Sequence, residues 1–289
     1  MAGAVGVVGL LSFAPGTARA ASDPATAATT SAATASAGAG SGATGATTGT
    51  SQPCTITSTT PAAPGSPISY ANLPASCIPP GEQLFAANCS SCHGTDAAGS
   101  ALAPNLRGVG AGTVDFWVST GRMPLADSSI QATRKPPRFN RLQTLEIAAY
   151  VQSLAPGGVQ IPQVALSQAS VANGGRLFTL NCAACHTITG AGDALYKGAY
   201  APSLHQATVE QIVEAIRSGP GNMPRFGAGN ITNQEAADIA AYVHGVIQHP
   251  SNPGGFGLGG VGPVAEGFVG LLFGVGLLML VSFWIGERS

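Results

Sequence analysis

Two thiol pairs, each followed directly by a histidine, are the residues of this sequence best suited to chemistry. They occur as CSSCH at 89–93 and as CAACH at 182–186. The pattern C-x-x-C-H is typical of covalent haem c attachment, because two thiols on one helical turn can reach the two vinyl groups of a porphyrin and the histidine can then reach the iron. We therefore predict two covalently bound haem c groups. The predicted attachment residues are Cys89, Cys92, Cys182 and Cys185, and the predicted proximal iron ligands are His93 and His186.

A single C-x-x-C-H pentad would also be compatible with half of a zinc site or with a redox dithiol. Zinc needs a second pair of ligands at each site, and neither half of the chain supplies another cysteine next to its pentad. The two pentads also lie in register and are followed by the same sequence landmarks. Haem is therefore favoured over both alternatives.

The second axial ligand of each iron is predicted from the distribution of histidine and methionine. The three other histidines lie in or after the second half of the chain, so the first half has no spare histidine. Met123 and Met223 occupy matching G-x-M-P positions. We predict Met123 as the ligand of haem 1 and Met223 as the ligand of haem 2, with core packing as the alternative. The histidines interpreted as surface or capping residues are His205, His244 and His249.

Axial ligation by histidine and methionine limits the chemistry that each iron can do. This ligand pair raises the reduction potential and fills both axial positions. Electron transfer is therefore favoured over reaction with peroxide or oxygen. A dihaem peroxidase, the alternative enzyme, would need one five-coordinate iron and hence the loss of one of these methionines.

Several residues near the pentads are predicted to support them. The carbonyls of Pro104 and Pro202 lie where each could accept a hydrogen bond from Nδ1 of the proximal histidine, although both prolines could equally just end a loop. Trp117 is interpreted as packing in the haem pocket, with a role in electron exit as the alternative. Two phenylalanines are predicted to pack in the core on tyrosines of the closing helices. The pairs are Phe85 with Tyr150 and Phe178 with Tyr242.

An internal repeat supplies the elements that must position these residues. GEQLFAANCSSCH (81–93) aligns with GGRLFTLNCAACH (174–186), and IAAYV recurs downstream in both halves. We predict a mainly α fold with two tandem class I cytochrome c domains, at 80–156 and 171–249, joined by a linker at 157–170. Each domain is predicted to contain a short helix leading into its pentad and an amphipathic closing helix.

The ends of the chain differ from these domains. Residues 1–20 are predicted to be a signal peptide or an N-terminal anchor, because a small apolar stretch precedes an Ala-x-Ala site. Residues 21–79 are predicted to be a flexible low-complexity leader, since most of this segment is Ala, Thr, Ser and Gly. A glycine-rich neck (250–264) then precedes a predicted transmembrane helix (265–286). Its uncharged run is about 28 Å long as a helix, close to the hydrocarbon thickness of a bilayer.

Cys54 and Cys77 stand apart from the pentads. In an oxidising compartment such a pair would most simply form a disulfide, and two unrelated free thiols are the alternative. Bacteria attach haem c outside the cytoplasmic membrane, in agreement with an export signal. We therefore predict that the haem domains lie on the extracytoplasmic side of the cell membrane, anchored by the single C-terminal span.

The charge of the chain excludes one class of partner. The formal net charge is −1 at pH 7 and no run of basic residues occurs. Because a polyphosphate is bound by clustered lysine and arginine, no nucleic acid partner is predicted.

The order of these features resembles the dihaem cytochrome c subunit of the actinobacterial menaquinol:cytochrome c reductase, the cytochrome bcc complex. The segments that carry the resemblance are VSTGRMP (118–124), LFTLNCAACH (177–186), GPGNMP (219–224), PGGFGLGGVGPVAEG (253–267) and the terminal WIGERS (284–289).

The resemblance implies three protein partners: a cytochrome b subunit, a Rieske iron–sulfur subunit and a haem-copper cytochrome c oxidase. Haem 1 would receive electrons from the Rieske protein and haem 2 would pass them to the oxidase. The chain would then be an electron-transfer subunit of a quinol–cytochrome-c reductase, without a catalytic site of its own. A generic membrane-anchored dihaem carrier, or the dihaem subunit of another terminal oxidase, is compatible with the same residues.

Overall fold

The computed structural model describes residues 54–250 and 263–287. The predicted signal peptide or anchor, the leader up to residue 53 and the neck residues 251–262 lie outside the described residues. The helices are α1 (Ile78–Asn88), α2 (Ser90–His93), α3 (Ala111–Ser119), α4 (Arg141–Leu154), α5 (Val171–Asn181), α6 (Ala183–His186), α7 (Val209–Ser218), α8 (Asn233–Tyr242), α9 (Pro263–Gly270) and α10 (Gly276–Gly286). The strands are β1 (Ser58–Pro61), β2 (Ile68–Asn72), β3 (Pro162–Val164), β4 (Asp193–Ala194) and β5 (Tyr200–Ala201).

The two predicted domains share one arrangement of four helices. The helix that leads into each pentad crosses the closing helix, so that α1 packs on α4 and α5 packs on α8. A glycine lies at each crossing, because a Cβ on Gly81 would clash with the backbone of Glu146 and a Cβ on Gly174 would clash with the backbone of Asp238. The predicted mainly α fold with two tandem helical domains is confirmed.

The predicted closing helices are α4 in the first domain and α8 in the second. A capping box fixes the start of α4, where the Asn140 side chain accepts a hydrogen bond from the Gln143 N–H and the Gln143 side chain accepts one from the Asn140 N–H. Thr232 and Glu235 form the same motif before α8. The last part of the second closing helix is a π-helical turn, Val243–Ile247. Both helices bury one apolar face in the core of their own domain.

The prediction of a flexible leader is wrong for residues 54–79. Strands β1 and β2 form an antiparallel hairpin, and β3, which lies in the predicted linker, adds to β2 as a third strand. Ile68 on β2 belongs to the core of the second domain, whereas Ala71 on the same strand belongs to the core of the first. The hairpin therefore contacts both domains. The amino-acid composition of this segment does not predict the hairpin, because its strands are short and polar. The third strand comes from a distant part of the sequence.

A disulfide anchors this hairpin to the first domain. Cys54 and Cys77 are bonded, with both side chains buried in the core of the first domain, and 23 positions separate them in sequence. Closing a loop of this length restricts the unfolded chain and stabilises the fold by roughly 3 kcal/mol in the chain-entropy treatment.

Replacing Cys54 and Cys77 together by alanine is expected to lower the free energy of unfolding by about 3 kcal/mol. Denaturant unfolding of the haem-loaded protein, followed by circular dichroism, measures this difference. Treating the wild-type protein with a thiol reductant is the control and should abolish the difference between the two proteins. Equal stability of the untreated proteins would contradict the assignment of a stabilising disulfide.

The two domains contact each other through equivalent helices, since α3 of the first domain packs on α7 of the second. The Gln211 side chain on α7 donates to Ser119 Oγ at 3.0 Å and accepts from the Arg134 guanidinium. A second contact joins the Gln131 side-chain amide to the backbone N–H and C=O of Tyr200, at 2.9 and 2.7 Å. Polar side chains of the first domain are thus bound to the second at several points.

The C-terminal residues form a continuous helical segment in which α9, a π-helical stretch (Leu271–Val275) and α10 follow one another. Within it, Gly267–Gly286 has a mean hydropathy of 2.4 and is not buried by any described part of the chain. By length and composition this helix can span a membrane.

Candidate haem-binding sites

The two pentads have the same local structure. The first cysteine of each pentad lies between two helices. It is the last residue bonded to the preceding helix: Cys89 N–H donates to the Phe85 carbonyl and Cys182 N–H to the Phe178 carbonyl, both at 2.8 Å. Each histidine then closes a single helical turn, with its N–H bonded to the carbonyl of that cysteine at 2.9 Å. Residues three apart on a helical turn share a face, so the two thiols of each pentad lie on the same side. All four pentad cysteines are free of disulfide bonds.

The proximal histidine rings are held by proline carbonyls. His93 Nδ1 lies 2.9 Å from the carbonyl oxygen of Pro104, and His186 Nδ1 lies 3.0 Å from that of Pro202. A carbonyl only accepts, so Nδ1 carries the proton and Nε2 keeps a free lone pair for a metal. The predicted role of both proline carbonyls as hydrogen-bond acceptors is confirmed.

The protonation of the first thiol of each pentad argues against a redox dithiol. Burial, followed by the neighbouring thiol of the same pentad, raises the pKa of Cys89 and the pKa of Cys182 to about 11. Reactive dithiols depend instead on a lowered pKa that makes the thiolate available. Burial also lowers the pKa of His186, which favours the neutral ring that binds metals, although the Pro202 carbonyl acts in the opposite direction.

The two predicted methionine ligands lie in matching loops. Met123 follows α3, and its N–H donates to the Trp117 carbonyl at 3.0 Å. Met223 follows α7, packs on the core of the second domain, and donates its N–H to Pro220 at 3.1 Å. Both side chains are half-buried. The glycine of each G-x-M-P motif has a positive φ, 65° at Gly121 and 61° at Gly221, which explains why glycine occupies that position.

The aromatic pairs predicted for the core are confirmed. The ring centroids of Phe85 and Tyr150 are 5.2 Å apart, and those of Phe178 and Tyr242 are 5.5 Å apart. Each pair packs a phenylalanine, four residues before the first cysteine of a pentad, onto a closing helix, so the pentads are positioned by the rigid part of each domain. Trp117 packs edge-on against Phe116, at the end of α3 that leads into the Met123 loop.

Of the three histidines outside the pentads, two have local side-chain partners. His205 is exposed and lies in the loop before α7. The rings of His244 and His249 pack edge to face with their centroids 5.0 Å apart, and His249 Nδ1 is bonded to the His244 carbonyl at 2.6 Å. Their position at the end of the second closing helix agrees with the interpretation as surface or capping residues.

One residue of this region escaped the sequence analysis. Arg122, directly before Met123, is 8% exposed, and its Nη1 atom has no hydrogen-bond partner among the described residues. Comparison of the two repeats offers one sign of it. The residue before Met223 is Asn222, so the charge at this position differs between the two domains.

The residues of both sites fit a covalently bound haem. Each domain offers two unbonded thiols on one face, an imidazole whose Nδ1 is already bonded, and a half-buried thioether. The buried guanidinium nitrogen of Arg122 is in addition a cation without a counter-ion, as a site for an anionic cofactor would require.

Two helical domains with this donor set define a c-type cytochrome. Comparison with known families agrees, since residues 78–155 match the cytochrome c family model and residues 169–243 match the model for cytochrome c oxidase, cbb3-type, subunit III. The chain is 40% identical over 229 residues to the cytochrome bc1 complex cytochrome c subunit of Corynebacterium diphtheriae, covering 73% of this chain and 81% of that protein. It is 42% identical over 217 residues to the subunit of the same name from Mycobacterium tuberculosis, covering 72% and 77%. The chain belongs to the family of cytochrome c subunits of the actinobacterial cytochrome bc1 complex.

Two more distant likenesses complete the comparison. The cbb3-type cytochrome c oxidase subunit CcoP of Cereibacter sphaeroides is 30% identical over 184 residues, covering 57% of this chain and 60% of that protein. A chain of the Kuenenia stuttgartiensis reducing HAO-like protein complex aligns with a TM-score of 0.33 at 12% identity, over 59% of this chain and 96% of that chain. The second likeness is too weak to show a shared fold.

Membership of this family establishes the chain as an electron-transfer component of the reductase that binds haem c covalently. Its apolar C-terminal helix agrees with a subunit anchored in a membrane complex.

Proposed function

We propose that the chain binds two haem c groups and relays electrons through them, one domain after the other. The observation that carries this proposal is the repetition of a complete donor set, since both domains combine the bonded histidine ring with a half-buried methionine. In the first domain the donors are Cys89, Cys92, His93 and Met123, and in the second they are Cys182, Cys185, His186 and Met223.

The haem iron, when bound, supplies reversible one-electron transfer. The protein residues hold it in place. The proline carbonyls fix the orientation of both imidazole rings, and the G-x-M-P loops bring a thioether to each domain, so an imidazole and a thioether of each domain would hold the iron. A haem held in this way would supply electron transfer rather than reaction with oxygen or peroxide.

The proposed direction of transfer is from the Rieske iron–sulfur protein to haem 1, then to haem 2, and finally to a haem-copper cytochrome c oxidase. Support comes from the family, whose members are named as subunits of a bc1 complex, in which a cytochrome b subunit would also contact this chain. The charge of the chain gives independent support. A diffusing cytochrome c is usually steered by many lysines, whereas this chain has only Lys135 and Lys197. A tethered domain works instead through a high effective concentration.

The proposed location is the extracytoplasmic side of the cell membrane, with the C-terminal helix as the single anchor. The disulfide between Cys54 and Cys77 supports an oxidising compartment for the folded domains.

Purification of the tagged full chain in a mild detergent tests the proposed partners. We expect cytochrome b, Rieske and haem-copper oxidase subunits to be identified by mass spectrometry in the same fraction. A haem stain of the denatured gel should mark this chain, and the pyridine haemochrome spectrum should give two haems per chain. Haem-stained chain that purifies without these subunits would contradict the proposed relay and leave only a dihaem carrier.

A second candidate function is that of a dihaem subunit in a cbb3-type oxidase. Two observations favour it: the second domain matches the model for subunit III of such oxidases, and CcoP of Cereibacter sphaeroides is a relative. The same purification distinguishes the two candidates, because a cbb3-type assembly would bring down oxidase subunits without a cytochrome b or a Rieske protein.

A further inference from the structure

Arg122 is a buried cation in an unusual position. Its side chain is 8% exposed, its guanidinium carbon lies 4.9 Å from the centroid of the Phe116 ring, and Nη1 has no hydrogen-bond partner among the described residues. Burying a guanidinium without satisfying its donors costs several kcal/mol. A structure that retains this arrangement is therefore expected to supply a partner for the free donor.

A second arginine increases the unbalanced charge. Arg134, on the same long loop, is half-buried and interacts electrostatically with Arg122. Its hydrogen bond goes to the neutral side chain of Gln211. The ion pairs found between residues 54 and 250 are Arg107 with Asp96 and Arg141 with Asp115, so neither Arg122 nor Arg134 has a carboxylate partner there. Two desolvated guanidinium groups thus share one region without an acidic counter-ion.

The position of this cluster identifies the anion that fits it. Arg122 is the residue before Met123, the proposed ligand of haem 1, and Tyr200 of the second domain is among its electrostatic neighbours. A haem carries two carboxylate groups on its propionate side chains, and guanidinium binds carboxylate through two parallel hydrogen bonds. A haem bound at the first site would bring such a group into this region.

We propose that Arg122, assisted by Arg134, binds a propionate carboxylate of haem 1 at the boundary between the two domains. This inference rests on the proposed haem ligation of the first domain. The second domain has Asn222 in place of Arg122 and therefore lacks this cation. The two haems consequently differ in local charge, and the guanidinium raises the potential of haem 1, because a fixed positive charge opposes the extra positive charge of the oxidised iron.

The test is a redox titration of the purified full-length protein in its complex, with the visible spectra of the two haems resolved. In the Arg122→Gln variant the reduced-to-oxidised ratio of haem 1 at a fixed ambient potential should fall about tenfold, a shift of about 59 mV for a one-electron couple. The ratio of haem 2 should stay within twofold of wild type. Arg122→Lys, which keeps the charge but loses the bidentate geometry, should give a smaller decrease.

The matched control is Arg176→Gln, which makes the same substitution at an exposed position on α5 of the second domain. Water screens this charge, so the potential of haem 1 should hardly change. An Arg122→Gln variant with an unchanged haem 1 potential, or one in which only haem 2 shifts, would overturn the inference. So would a wild-type haem 1 potential that depends on phosphate concentration at constant ionic strength, because a free anion would then occupy the site.

A haem stain and circular dichroism keep this test separate from the test of the proposed function. Loss of folding in Arg122→Gln would be seen by circular dichroism, and Arg122→Lys then carries the test. Wild-type protein without covalent haem would refute the proposed function itself. Covalent haem with an unchanged potential in the folded variant would refute only the role of Arg122.

Discussion

Replacing Met123 with leucine is expected to leave haem attached to the first domain while its reduction potential falls by about 0.1 V or more. Attachment depends on Cys89 and Cys92, which the substitution does not touch. The potential depends on the axial ligands, whose identity spans about 0.8 V among haem proteins. Since 59 mV is a tenfold change for a one-electron couple, the ratio of reduced to oxidised haem 1 should fall by roughly fiftyfold or more at a fixed ambient potential. Transfer from the Rieske centre would then stall.

The measurement is a spectroelectrochemical titration of the complex together with stopped-flow reduction. Met223→Leu should give the same result for haem 2 alone. Met279→Leu, in the apolar C-terminal helix, is the matched control and should change neither potential. If both haems of the Met123→Leu variant titrate as in wild type, Met123 is not an iron ligand.

The second large effect concerns a buried carboxyl group between the domains. Glu214, on α7, is completely buried, and its carboxylate forms no ion pair with a described residue. It faces α3, where Asp115 is also buried and paired with Arg141. Burial, and then the charge of Asp115, raise the pKa of Glu214 well above its usual range. The charged groups around it are Asp115, Arg141 and Glu210.

The free energy of unfolding depends on pH because the folded and unfolded states bind a proton at Glu214 with different affinity. Because the pKa of Glu214 is higher in the folded protein, folding favours its protonated form, and the stability is greatest below the usual pKa near 4.5. Stability is then lost as the pH rises towards the folded pKa, by about 1.4 kcal/mol for each unit between the two pKa values. The α3–α7 contact should therefore weaken as the pH rises above the usual pKa of glutamate.

Glu214→Gln keeps the size of the side chain and removes the titration. We expect its stability relative to wild type to increase as the pH rises above the usual glutamate pKa near 4.5, at about 1.4 kcal/mol per unit of pKa difference. Denaturant unfolding at each pH, with hydrogen exchange of α3 and α7, measures the effect. Glu82→Gln, at an exposed position of α1 that is not among the charged neighbours of Glu214, makes the same charge change and should keep the wild-type pH profile. Parallel stability curves for Glu214→Gln and wild type would refute the role of Glu214.

The sequence by itself determined the local features of this protein. The pentads, the G-x-M-P loops and the closing helices are each defined within a few residues, because helical turns and capping boxes depend on short spacings. Comparison of the two repeats then predicted the aromatic pairs Phe85–Tyr150 and Phe178–Tyr242, since equivalent positions face equivalent helices. The apolar C-terminal helix was predicted from length and composition alone.

Only the tertiary structure decided how distant segments meet. The β1–β2 hairpin gains its third strand from the segment between the domains, and α3 packs on α7, although no local pattern predicts either contact. For the same reason no local pattern predicts that Arg122 is buried or that Glu214 lies beside Asp115, although Asn222 at the matching position marks Arg122 as a difference between the repeats. Burial and charge pairing depend on which surfaces come together, and that depends on residues far apart in the chain.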